Sequence, residues 1–190
     1  MSFNTKYALA LALISSLSLN ANSPTLAKES PAKSGEVTPI PEGYHSLTPT
    51  LVFKDAKKAI EFYKKAFDAN QSEMIENDGK VIHAEVKIGD SHLMMSDEFP
   101  DGDCFAPKDG LGYMSLYLYV SDVDAAYKQA IDSGAKSKME PLNMFWGDRY
   151  ASVQDPFGFV WQLATRKENL TSQEVKKRSD EFFSSVKKSK

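Results

Sequence analysis

Apolar and polar positions along this chain change period in a repeating order. "TPTLVF" (48–53) reads as a strand. "DAKKAIEFYKKAF" (55–67) then places Ala59, Ile60, Tyr63, Ala66 and Phe67 on one helical face, behind Asp55 as a helix cap. "QSEMIE" leads through the hairpin signal "NDGK" to "VIHAEVKI", which has period two, and Gly89-Asp90 turns the chain into "SHLMMS". After a stretch rich in Asp, Gly and Pro (97–112) the order returns. "YMSLYLYV" is a strand, and "DVDAAYKQAIDSG" is a helix opened by Asp122 and closed by Gly134. "AKSKMEPL", "DRYASVQ" and "GFVWQLAT" complete the second unit, the last two joined by the turn "DPFG". Two βαβββ units of similar length are an internal repeat, which predicts an α+β fold with modules at 44–97 and 111–166. Within residues 167–190, Thr171 and Glu174 have capping-box spacing ahead of Val175, Phe182 and Val186, which predicts a C-terminal helix.

The N-terminal part does not share this pattern. Lys6, the apolar run 7–19 and the small residues after it have the layout of a secretory signal peptide over residues 1–27. The run is shorter than the about 20 apolar residues of a membrane-spanning helix. Residues 28–43 mix Pro, Ser, Gly and charges without apolar period and are expected to be a flexible leader. The mature protein is therefore expected in the periplasm or secreted, with no membrane anchor after cleavage. Removing residues 1–27 takes away Lys6 and no acid, leaving 22 Lys+Arg against 26 Asp+Glu, a net of −4, which gives nucleic acid nothing to bind. Cys104 is the only cysteine, which excludes an intramolecular disulfide and a cysteine metal cluster.

The doubled order, with "LVFKDAKKAIEFYKKAF", "HAEVKIGDSHLMMSDE", "LYLYVSDVDAAY" and "FWGDRYASVQDPFGFVWQLAT", resembles the vicinal-oxygen-chelate superfamily. That group contains glyoxalase I, extradiol dioxygenases, and fosfomycin and bleomycin resistance proteins. The likeness over residues 46–166 is greatest to its PhnB-like branch, in which "WGDRY" and "DPFG" before a Trp are typical. It implies paired curved mixed sheets with helices outside and a concave cavity inside, in a chain that forms a homodimer. Metal-using members take His or Glu ligands from the first, fourth, fifth and eighth strands. Those places here are Thr48, Met94 (or Met95), Ser115 and Gln162, none of them an imidazole or a carboxylate. No metal or other cofactor is therefore expected at the family's site.

Strand alternation sorts residues between the helix-packed face and the concave one. Ile82, Ala84, Val86 and Ile88 are expected against the helices, which turns His83, Glu85 and Lys87 inward. Leu93 and Met95 are expected in the core, with His92 and Met94 inward. Met114, Leu116, Leu118 and Val120 form the helix-facing set of the fifth strand, leaving Ser115, Tyr117 and Tyr119 inward. In the last strand Phe159, Trp161 and Leu163 are core, and Val160 and Gln162 look the other way. Thr48 and Thr50 extend the ligand-binding set to the first strand. Trp146 and Arg149 either seal and bridge loops or line the cavity, the indole as a flat contact and the guanidinium as a bidentate anchor for a carboxylate or phosphonate.

His83 and Glu85, two apart on one face, are the candidate catalytic pair. They form a hydrogen-bonded pair in a polar cavity, act as base and acid, or join His92 as displaced ligands of a divalent metal. The leading reading is an exported protein that binds a small polar or aromatic ligand in the concave cavity. The alternative is a glyoxalase-type lyase or isomerase, or a dioxygenase, built on His83, Glu85 and His92. Sequencing the N-terminus of exported protein is expected to find a start near Lys28, and a periplasmic chain beginning at Met1 contradicts the signal-peptide reading.

Overall fold

A computed structural model of the protein describes residues 38–99, 102, 104–108, 112 and 114–188, and the side chains of 185–188 are not among those described. The expected signal peptide, the leader up to residue 37 and the side chain of Val186 lie outside the described residues. The first module runs β1 (Thr50–Phe53), α1 (Ala56–Phe67), β2 (Asn70–Asn77), β3 (Lys80–Ile88) and β4 (Ser91–Asp97). The second runs β5 (Ser115–Tyr119), α2 (Val123–Asp132), β6 (Lys136–Asn143), β7 (Asp148–Gln154) and β8 (Val160–Arg166), and α3 (Ser172–Lys188) follows. Each module closes a four-stranded mixed sheet, ordered β1-β4-β3-β2 and β5-β8-β7-β6. The first and last strands of each module pair in parallel, and the remaining pairs are antiparallel. This is the tandem βαβββ, α+β fold that the repeat predicts.

Local chemistry accounts for the helix boundaries. The Asp55 carboxylate accepts from the Lys58 amide at 3.1 Å, and Asp122 accepts from the amides of Asp124 and Ala125 at 3.0 and 3.1 Å. Each fills donors that the first turn leaves without intrahelical partners. Thr171 and Glu174 form the expected reciprocal pair, the Thr171 amide donating to the Glu174 carboxylate at 2.7 Å and the Glu174 amide to Thr171 Oγ1 at 3.3 Å. Helix α1 buries Ala59, Ile60, Tyr63, Ala66 and Phe67 as its spacing predicts, and Phe62 joins them. It packs on the first sheet and on α2, while α2 packs on β6, β7 and β8, so one apolar layer runs through both modules.

Asp155, in the "DPFG" turn, ties that layer together. It is 3% exposed, and it accepts from four donors. Its Oδ1 takes the amides of Phe157 and Phe159, both at 2.9 Å, and its Oδ2 takes the Tyr63 hydroxyl at 2.7 Å and the Trp161 indole N–H at 3.0 Å. A helix of the first module is thereby bonded to the last hairpin of the second. Burial pushes the Asp155 carboxyl above the usual carboxylate range, against the downward pull of these donors. Asp97 plays a smaller part in the first module, taking the amides of Ala56 at 2.7 Å and Val81 at 2.8 Å.

The expected faces hold for Leu93 and Met95, for Leu116, Leu118 and Val120, and for Phe159, Trp161 and Leu163. Two residues depart from them. Ile82 is 41% exposed and Val81 is fully buried in its stead, because a register shift between Ile75 and Glu76 inserts an extra residue into the β2–β3 ladder and breaks the alternation there. Met114 precedes β5, outside the ladder, and is exposed. Replacing Trp161 by Ala is expected to cost about 3–5 kcal/mol as a buried aromatic truncation. Asp155→Asn, which turns an N–H toward the Trp161 indole N–H, is expected to cost about 1–3 kcal/mol. Urea denaturation of both variants checks this, and a loss below about 1 kcal/mol for both would remove the hub from the account.

Candidate functional site

On the sheet face turned away from the helices, residues Thr50, Met94, Glu85 and Glu73 stand opposite one another in a row across β1, β4, β3 and β2. Glu85 is only 8% exposed, and its Oε1 lies 3.1 Å from His83 Nε2. The Tyr44 hydroxyl donates to its Oε2. Tyr44 belongs to the segment leading into β1, and its ring stacks on His92 with centroids 4.1 Å apart and an interplanar angle of 24°. Gly43, in the turn ahead of Tyr44, adopts φ 82°, a left-handed conformation that glycine takes without the Cβ penalty. The hydrogen bond from Tyr44, ahead of the opposing cost of burial and the help of His83, holds the Glu85 carboxyl below its usual range. The same bond, with burial, pushes the Tyr44 phenol up to about 12.

The second sheet carries a matching arrangement of phenols on a carboxylate. Asp148 is 5% exposed, and its Oδ2 accepts from the hydroxyls of Tyr117 at 3.0 Å and Tyr119 at 3.3 Å. Burial first, and then Asp148, raise the Tyr117 phenol, while the Trp146 indole N–H that donates to it pulls the other way. Tyr150 packs on Tyr117 and on Trp146, with centroids 6.0 and 5.8 Å apart. Trp146 thus sits beside the inward tyrosines. Its turn is held by the chain leaving β8, because the amides of Lys167 and Glu168 both donate to the Gly147 carbonyl, at 2.9 and 3.0 Å.

For Arg149 the structure shows the bridging arrangement, one of its two expected readings. Its guanidinium forms a bidentate pair with Asp124 of α2, at 2.5 and 2.6 Å, and also reaches Asn143 at 3.2 Å. The alternation of β7 explains this: Arg149 shares the helix side with buried Ala151 and Val153, whereas Asp148, Tyr150 and Ser152 take the other face. The same alternation, applied to "DRYASVQ", would have found Asp148 and Tyr150 in place of Arg149.

A cavity of about 210 Å3 opens between the segment before β1, the start of β4, and strands β5 and β8. Its wall includes His45, Thr48, His92, Leu93, Tyr117 and Trp161. Of the expected ligand-binding set, Thr48, His92 and Tyr117 line it, and Thr50 lines a second hollow of about 490 Å3 with Phe105, Lys108 and Phe159. Met94, Ser115, Tyr119, Trp146, Arg149 and Gln162 line neither hollow. His92 Nδ1 is buried without a hydrogen-bond partner among the described residues.

The family's ligand places do not suit a divalent ion. The Thr48 hydroxyl donates to the His45 carbonyl at 3.4 Å, Met94 offers a thioether, and the Gln162 amide is spent on Ser115 Oγ at 2.8 Å. Of the displaced set, His83 and Glu85 meet. His92 is stacked on Tyr44, and the donors that meet within 4.8 Å of one another are Glu73, His83 and Glu85. Glu73 had no local signal, since it reaches the others only through the pairing of β2 with β3.

Residues 45–163 match the model of the Glyoxalase/Bleomycin resistance protein/Dioxygenase superfamily. An uncharacterized protein of Mycobacterium bovis is 37% identical over 135 residues, which span 68% of this chain and 89% of that protein. A solved gene product of Arabidopsis thaliana superposes with a TM-score of 0.52 at 26% identity, over 64% of this chain and 98% of the other. A solved PhnB protein of Bacillus cereus does so with a TM-score of 0.51 at 22% identity, over 64% and 99%, a likeness of fold.

The depressed Glu85 carboxyl contributes stability above its unfolded value of about 4.3, and that contribution is lost as pH falls through the lower folded value. Tyr44→Phe removes the largest cause and keeps the ring. The variant is therefore expected to be less stable than the parent at pH 7 and to converge with it on acidification, as read by urea titrations along a pH series.

Proposed function

The chain belongs to the glyoxalase/bleomycin resistance protein/dioxygenase superfamily, and on that premise we propose that it is an exported protein that binds a small polar or aromatic ligand without a metal at the family's ligand places. The observation that carries this reading is the cavity whose wall combines the rings of His92, Tyr117 and Trp161. The volume of about 210 Å3 is below the ~300–1,000 Å3 of sites for drug-sized ligands, so it suits a single ring. Flat walls favour an aromatic occupant, and the Tyr117 hydroxyl, held by Asp148, fixes the orientation of that wall.

A second reading is a lyase or isomerase built on His83 and Glu85, favoured by their 3.1 Å contact, with the ionised Glu85 orienting His83 as the base. It requires turnover that His83→Gln abolishes while ligand binding at the cavity survives. Phenol, benzylamine and benzoate serve as single-ring probes, read by quenching of Trp161 fluorescence in a Trp146→Phe variant of the mature protein. Phenol, the uncharged probe, is expected to bind at least about tenfold more tightly than benzylamine and benzoate, a difference of about 1.4 kcal/mol, because among the described residues no lysine, arginine, aspartate or glutamate lines the cavity to pair a buried charge. Tyr117→Ala is expected to weaken phenol binding by a similar factor. No saturable quenching up to millimolar probe, or quenching indifferent to Tyr117→Ala, counts against the cavity as the site.

A further inference from the structure

We infer that Glu73, His83 and Glu85, on the paired strands β2 and β3, form a binding site for one divalent first-row transition ion, of which zinc is the representative. The site is separate from the ligand cavity, whose wall contains none of the three, and from the places at which the family holds metal.

The first observation is geometric. Nε2 of His83 and Oε1 of Glu85 are 3.1 Å apart, and one carboxylate oxygen of Glu73 completes a group within 4.8 Å. Two ligands at about 2.0–2.2 Å from a tetrahedral zinc stand about 3.3 Å from each other. His83 and Glu85 are therefore already at ligand separation, and only the exposed Glu73 side chain has to swing inward.

The second observation is electrostatic. Glu73 and Glu85 are direct cross-strand partners. Like charges in that relation repel, and among the described residues no lysine or arginine bridges either one; the titratable groups acting on Glu85 are Tyr44, His83 and His92. A cation between them removes the repulsion. The third is the surrounding support. The Tyr44 hydroxyl occupies Oε2 of Glu85 and so orients Oε1 toward His83, the arrangement by which outer partners fix metal ligands. Imidazole with two carboxylates is a donor set that suits such ions. Zinc entry replaces the His83–Glu85 hydrogen bond with two coordinate bonds, and His83 binds as the neutral ring.

The site also has a structural consequence. Every residue of β2 is exposed, and the strand is the free edge of its sheet. An ion held by Glu73 on β2 and by His83 and Glu85 on β3 staples that edge.

The mature protein, stripped with chelator and titrated with zinc chloride, tests the inference through native mass spectrometry, thermal melting and amide hydrogen exchange. One zinc per chain is expected, with a melting midpoint raised by on the order of 5–10 °C at a hundredfold excess over Kd and slower exchange over residues 70–77. His83→Gln and Glu85→Gln should abolish the rise. Glu73→Gln, at an exposed position that leaves the fold alone, should weaken binding at least about tenfold, while His92→Ala should not change it. Glu73→Gln should also leave phenol binding at the cavity intact, so the two sites fail independently. Absence of stoichiometric zinc overturns the inference, as does zinc binding that survives Glu73→Gln but is lost with His92→Ala.

Discussion

The arrangement of both modules depends on one buried carboxylate. Asp155 takes two amides of its own turn and, across 92 residues of chain, the hydroxyl of Tyr63. Its remaining bond, to the Trp161 indole, fixes the ring that α1 packs against and that also forms part of the cavity wall. Since β8 pairs with both β5 and β7, holding Trp161 sets the register that places Tyr117 beside Gln162 and Asp148 at the far end of the neighbouring strand. A negative group placed this deep needs all its acceptor sites filled. The same requirement that makes it costly makes the orientation of the two modules specific.

Four buried acids divide by the kind of donor they meet. Asp97 meets backbone amides alone, and Asp155 meets amides together with core side chains, all of them groups that move only if the fold moves. Glu85 and Asp148 meet tyrosine hydroxyls on the sheet faces turned away from the helices. Side-chain donors of that kind can rotate away and leave an oriented carboxylate to another partner. The first pair builds the molecule, and the second pair presents chemistry on it.

The same division separates the family's architecture, held by the core, from the side chains presented on the sheet faces. Strand pairing is maintained by core packing, whereas the places that the resemblance marks for metal carry Thr48, ahead of β1, and Met94, Ser115 and Gln162 on β4, β5 and β8. Function resides in the site and not in the fold. Here Glu73, His83 and Glu85 stand together on β2 and β3, and the rings of Tyr117 and Tyr119 gather around Asp148.

The sequence by itself determined the order of elements, their caps and most of their faces, because periods of two and 3.6 and the capping residues act over a few positions along the chain. It was thus sufficient to place Trp161 inside, His83 and Glu85 on a common face, and Gln162 opposite the core. The tertiary structure decided the rest. The bulge that exchanges Ile82 for Val81 arises from how β2 meets β3. Arg149 is drawn to Asp124, 25 residues away, and Glu73 replaces His92 beside His83 through cross-strand register. Tyr44 reaches Glu85 from a segment with no periodicity. Each of these is a contact between residues distant in sequence, whose strength depends on separation and burial in space, and no local spacing encodes either.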